Sequence, residues 1–133
     1  KEAVAALNPK RVVVLGGPAA VSDAVYAELG GTERLAGSDR YGTSAAVAAQ
    51  FDKDPNRALV ASGADFPDAL TGGAYAGVQH LPLVLTRLDR LPALSKAALD
   101  AVSPQDVAII GGTAAVAQTV EDQLNELLTG WVR

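Results

Sequence analysis

Asp65 and Asp68 stand three residues apart around a Phe-Pro step, a spacing at which two carboxylates can offer oxygen ligands to a divalent cation. Both also suit structural work. Asp68 falls in the first turn of a helix, where the dipole stabilises a carboxylate, and Asp65 can close an Asx turn onto the helix amides. His80 is the single histidine, so any Ser-His-Asp or His-metal site would have to use it. It precedes a strand at that strand's N-terminal end, whereas Ser62, Asp65 and Asp39 belong to the opposite edge, where open α/β sheets bind ligands. His80 therefore reads as a surface-loop residue. Arg40, Arg87 and Arg90 lie in loops or at a helix start, and their guanidinium forks suit phosphate or carboxylate groups. Surface salt bridges, Asp89 with its flanking arginines for example, are the alternative use. Gly16-Gly17 and Gly111-Gly112 stand between strand and helix, where amides can meet a phosphate. Neither G-x-G-x-x-G nor G-x-x-x-x-G-K-[ST] is present, which favours a tight turn over a nucleotide cradle.

These residues need a scaffold, and the chain alternates strand and helix to provide one. Lys1 to Leu7 reads as the end of a helix, closed by Asn8 and Pro9. Strands are expected at Arg11–Leu15, Arg34–Ala36, Arg57–Ser62, Leu81–Thr86 and Val107–Ile110. Helices are expected to carry Val21, Val25 and Leu29, with Ser22 or Asp23 near the start; to run from about Arg40 to Phe51 behind a Ser38 or Asp39 cap; and to start near Pro67, with Phe66 as its cap. Two more cover Leu91–Val102, with Leu94, Ala98 and Ala101 inward, and about Ala117 to Leu128, with Val116, Val120, Leu124 and Leu127 on one stripe. Strands that are apolar throughout are buried on both faces, so the pattern predicts a three-layer α/β sandwich with a mostly parallel sheet of about five strands. Gly72, Gly73 and Gly77 inside one helix imply close approach of another backbone, either the sheet beneath or a neighbouring module.

The 133 residues suffice for one hydrophobic core, and 49% hydrophobic with 20% charged residues describe a folded chain. A formal charge of −4 disfavours a general nucleic-acid partner, which would need a basic face. Cysteine is absent, so disulfides and zinc-thiolate sites are excluded. Apolar runs are broken well before the ~18 residues a membrane span requires. A start at Lys1, without initiator or signal segment, suggests an excised or mature piece.

The sequence also repeats itself. Val12–Val21 (VVVLGGPAAV) lines up with Val107–Val116 (VAIIGGTAAV), and Val25 and Leu29 match Val120 and Leu124. Thr129–Arg133 echoes Gly31–Arg34, as though a further copy began there. Residues 1–33 then read as the closing strand-helix unit of a preceding repeat and 34–133 as one full repeat, together one compact domain.

Four ordered stretches resemble the cell-wall-binding repeat family, type 2. They are Arg34-Leu35-Ala36-Gly37-Ser38-Asp39-Arg40-Tyr41-Gly42-Thr43, Ala61-Ser62-Gly63 with Phe66-Pro67-Asp68-Ala69-Leu70, Pro82-Leu83-Val84-Leu85-Thr86, and the two Gly-Gly units, the second with Ala117 where the family usually has serine. The resemblance implies a Rossmann-like or Toprim-like fold without the glutamate and Asp-x-Asp of Toprim enzymes. It implies a non-catalytic module, without cofactor or metal, that anchors a bacterial surface or secreted protein to an anionic cell-wall polymer outside the cell. The residues offered for ligand binding are Asp39, Arg40, Tyr41, Ser62, Asp65, Arg87 and Arg90. Such repeats pack in threes about a pseudo-threefold axis, so this chain by itself is expected to self-associate as a trimer, with the Pro67–Gly77 helix as a contact surface. The rival reading is a Rossmann-like or Toprim-like enzyme domain that binds a nucleotide or metal.

Overall fold

In the computed structural model, which describes residues 1–131, all eleven expected elements form in the expected order. They are α1 (Glu2–Leu7), β1 (Val13–Leu15), α2 (Asp23–Glu28), β2 (Glu33–Leu35), α3 (Arg40–Ala48), β3 (Ala58–Ser62), α4 (Phe66–Gln79), β4 (Leu83–Thr86), α5 (Ala93–Val102), β5 (Val107–Ile110) and α6 (Gln118–Trp131). Asn8 ends α1 in the left-handed region with φ 44°, and Ser22 Oγ caps α2 by accepting from the Val25 amide. Helix α6 runs through Thr129 and Gly130, where the sequence suggested a new copy; Val132 and Arg133, the rest of that echo, lie outside the described residues.

The chain is α/β with parallel pairing throughout, but its five strands form two sheets rather than one. Strands β1 and β2 pair with each other, and β4, β3 and β5 form the second sheet in that order. Edge chemistry shows why the outer side of β4 takes no further strand. Its Leu85 amide donates to Ser44 Oγ (3.1 Å) and its Leu85 carbonyl accepts from Ser95 Oγ (2.6 Å), so helices α3 and α5 occupy the edge at Leu85 with side chains.

Strand β3 is buried along its whole length and divides its side chains between two cores. Ala58 and Val60 join Val84, Ala48, Leu99 and the α6 stripe of Val116, Val120, Leu124 and Leu127 on one face. Leu59 joins Ala76 and Leu81 on the other, beneath α4. The three layers of the sandwich are therefore helices α3, α5 and α6, the β4-β3-β5 sheet, and α4. Helix α5 is rotated from the expected setting: Ser95, Ala98, Leu99 and Val102 are buried, whereas Leu94 is 51% exposed and Ala101 faces out. Its buried serine holds β4, and that bond sets the rotation.

Residues 1–33 add little to either core. Val14 is their one buried hydrophobic residue, while Leu7, Val13, Leu15 and Val25 remain exposed. The two Gly-Gly turns are nonetheless built alike. Gly16 and Gly111 have φ of +111° and +118°, which side chains rarely adopt, and a Cβ on either would lie 3.2 or 3.3 Å from Ala20 or Ala115. In both turns the second glycine's carbonyl accepts from the amides three and four residues on. No helix among the described residues is long and apolar enough to cross a membrane.

Candidate functional site

The loops after β2, β3 and β4 meet at the C-terminal ends of the strands. Asp39 caps α3, its Oδ1 accepting from the Gly42 amide at 2.8 Å, which settles the choice between Ser38 and Asp39. The cap turns the chain so that Arg40 points across the strands, where its Nη1 donates to the Gly63 carbonyl at 2.6 Å. Tyr41, 8% exposed, packs so closely under the same loop that a Cβ on Gly63 would lie 2.6 Å from its ring. Arg87 lies over the same ring, its guanidinium carbon 4.7 Å from the centroid. Gly37 and Gly63 thus serve close approach, the first to the α3 backbone and the second to Tyr41.

Ser62 is buried at the end of β3, where its Oγ accepts from the Ala64 amide at 3.2 Å and shapes the turn. Thr86, equivalent on β4, is wholly buried and donates to the Arg87 and Arg90 carbonyls, both at 3.1 Å. Arg90 itself is exposed and reaches Asp89 at 3.3 Å, the pairing that the sequence allowed. Asp65, not Phe66, occupies the cap position of α4, and its side chain makes no cap bond; Phe66 is the first helical residue and Pro67 the second. Asp68 stands in the first turn with its carboxylate beside the Gly111 turn, 2.6 Å from where a Cβ on Gly111 would sit. Among the described residues no group of three or more acidic or histidine side chains is placed to share a metal ion.

Helix α4 shows why three glycines occur together. Gly72 is packing, since a Cβ there would lie 3.2 Å from Ile110 and 3.4 Å from Leu83. Gly73 and Gly77 face open space and border a cavity of about 860 Å³ between the β1 turn, α3, α4 and β4. Asp39, Arg40 and His80 also line it. His80 ends α4 in the left-handed region, so its surface position stands, although it shares this cavity with residues that the sequence placed at the opposite edge. Leu15, Val47, Phe51 and Leu83 make the walls apolar, and neither Arg87 nor Arg90 borders it. Asp39 and Arg40 therefore join the strand-end loops to the rim of this cavity, whereas Arg87 and Arg90 lie on the loops outside it.

Sequence reasoning missed Ser44, which accepts from Leu85 and donates to the Tyr41 carbonyl at 2.9 Å, tying the Asp-Arg-Tyr turn to β4. Its signal was a serine within the helical face shared by Tyr41 and Ala48. Because Asp39 acts as a cap, Asp39→Ala is expected to lower stability by about 1 kcal/mol, read from the urea midpoint.

Fold and loops together define a small α/β module of parallel strands whose strand-end loops meet at one edge. The chain belongs to the Cell wall binding domain 2 (CWB2) family, whose model matches residues 34–121, about two thirds of the chain. It is similar to the amidase enhancer of Bacillus subtilis (strain 168), 33% identical over 129 residues, covering 95% of this chain and 17% of that protein. The N-acetylmuramoyl-L-alanine amidase LytC of the same organism is 29% identical over 118 residues, covering 89% of this chain and 24% of the relative. Among solved structures, Cwp8 from Clostridium difficile superposes with a TM-score of 0.75 at 28% identity, covering 93% of this chain and 21% of that one. Cwp6 from the same organism gives 0.66 at 27% identity, with 71% and 15% covered. The chain spans at most about a quarter of each of these proteins.

Proposed function

We propose that this chain is a non-catalytic module that holds the bacterial surface or secreted protein carrying it, non-covalently and outside the cell, to an anionic cell-wall glycopolymer. One observation carries the reading. Of the six described arginines, Arg11, Arg34, Arg57 and Arg90 lie in salt bridges, whereas Arg40 and Arg87 form none with the described acidic residues. Arg40 lies within the Asp-Arg-Tyr stretch at the start of α3 and Arg87 directly follows the Pro82–Thr86 stretch, and both are oriented by neutral partners, a carbonyl and a ring, that do not compensate the positive charge. Such forks suit phosphate or carboxylate groups along a polymer. Arg90 and the loop amides extend the surface, Asp39, Tyr41 and Ser62 shape it, and Asp65 borders it. Arg40→Ala is expected to weaken binding to purified cell wall about tenfold, with native circular dichroism retained, and added salt is expected to weaken the wild type. Unchanged affinity in a folded variant would make Arg40 purely structural.

The same reading takes residues 1–33 as the close of a preceding repeat and 34–133 as a full one, supported by the matching Gly-Gly turns and by a family match that begins at Arg34. Neighbouring repeats, or three copies of the isolated chain, would cover the outer face of α4, where Phe66, Leu70 and Val78 are 70 to 75% exposed. Light scattering is expected to show a trimer at high micromolar concentration, and a strictly monomeric mass would remove that part of the proposal.

A further inference from the structure

The two equivalent strand-Gly-Gly-helix units differ in one respect: the first holds a strand against its edge and the second does not. In the first, β2 lies parallel to β1 with Val14 opposite Arg34 and Leu15 opposite Leu35. The Val12 carbonyl accepts from Thr32, and the Gly16 amide donates to the Leu35 carbonyl at 2.8 Å. Arg34 then folds back over the turn, its Nη1 donating to the carbonyls of Gly16 (2.7 Å) and Val21 (2.8 Å), with Asp23 and the Tyr26 ring holding the rest of the guanidinium.

In the second unit, β5 uses its other side for β3, with Asp106 accepting from Ala58. Alternation along a strand directs the peptide groups of Val107, Ile109 and Gly111 away from β3. These are the counterparts of Val12, Val14 and Gly16. Among the described residues no strand pairs with that side. A groove of about 330 Å³ runs along it, between Val107, Ile109 and Gly111 on the strand and turn and Leu124 and Leu128 of α6. Glu121, which takes the place of Tyr26, contributes a carboxylate to the groove wall. On the opposite edge of this sheet the Leu85 amide and carbonyl are already taken by Ser44 and Ser95, whereas β5 has no such side-chain partners among the bonds of the described residues.

We infer that the β5 edge is the docking site for one parallel strand of the Glu33-Arg34-Leu35 type, supplied by a following repeat. Its arginine would bond the Gly111 and Val116 carbonyls and face Glu121, and its backbone would pair with Val107, Ile109 and Gly111. Consecutive repeats would then be joined by a shared sheet, each closing the sheet of the one before. This inference is independent of wall binding, and its test contains no wall.

The test is titration of the full ¹⁵N-labelled chain with a synthetic peptide of residues 31–37, up to millimolar concentration, read by amide shifts and amide exchange. The expected shifts centre on Ile109, Gly111 and Val116, and exchange of the Ile109 and Gly111 amides slows as the site fills. The Arg34→Ala peptide is expected to bind about tenfold more weakly, and Glu121→Gln in the chain to weaken the unaltered peptide severalfold. Absence of shifts at millimolar peptide, shifts centred away from β5, or equal affinity of the Arg34→Ala peptide would overturn the inference.

Discussion

Gly37→Ala is expected to cost about 3 kcal/mol of stability, enough to leave a module of this size largely unfolded at moderate urea. A Cβ at position 37 would lie 2.5 Å from Gly42 Cα and 2.7 Å from the Thr43 amide nitrogen. Both are backbone atoms of the first turn of α3, and that turn is fixed by the Asp39 cap and by the bond from the Gly37 amide to Thr43 Oγ1 at 3.1 Å. No side-chain rotation can relieve the overlap, so either the loop or the helix start must move. Gly73→Ala makes the contrast, because nothing lies within 4 Å of its Cβ and alanine suits a helix better than glycine. It is expected to be neutral or stabilising by up to about 1 kcal/mol. Urea midpoints of the two variants measure the difference, and equal midpoints would mean that the close approach does not exist in solution.

The double variant Arg40→Ala/Arg87→Ala is expected to lose cell-wall affinity by at least about a hundredfold, since each charge-assisted contact is worth roughly 1.5 to 3 kcal/mol and every 1.4 kcal/mol is tenfold. The two residues act from different elements, Arg40 from the start of α3 and Arg87 from the end of β4, and they touch different neutral partners. Their effects should therefore add in the main. Loss of Arg87 from the Tyr41 ring should cost stability only about 0.5 to 1 kcal/mol, so binding falls far more than folding does. Arg90→Ala in the same loop is expected to weaken binding less than either single change, because its charge is already matched by Asp89.

The order and type of the elements were legible because glycine, proline and capping residues punctuate each apolar run. The division into two sheets was not. An apolar strand shows that both faces are buried, yet the row of residues says nothing of which edge it pairs with. Ser44 and Ser95 decide that question for β4, and a serine within a helical stripe does not say which strand it will bond. The same blindness misplaced Leu94, which apolar periodicity turned inward although the Ser95 bond to Leu85 rotates it out. Of the candidate site, Asp39 was readable as a cap and Asp68 as a first-turn carboxylate. That Arg40 would span to Gly63, and that Arg87 would stack on Tyr41, depends on three loops meeting in space. The internal repeat was the most productive signal, since it makes β1 with β2 the template for an edge on β5.

Equilibrium binding of the chain to purified cell wall, before and after chemical removal of the wall's anionic polymers, tests the central claim most directly. Saturable binding to the intact wall is expected, weakening with added salt and disappearing on the stripped wall. Equal, salt-insensitive binding to both preparations would contradict it.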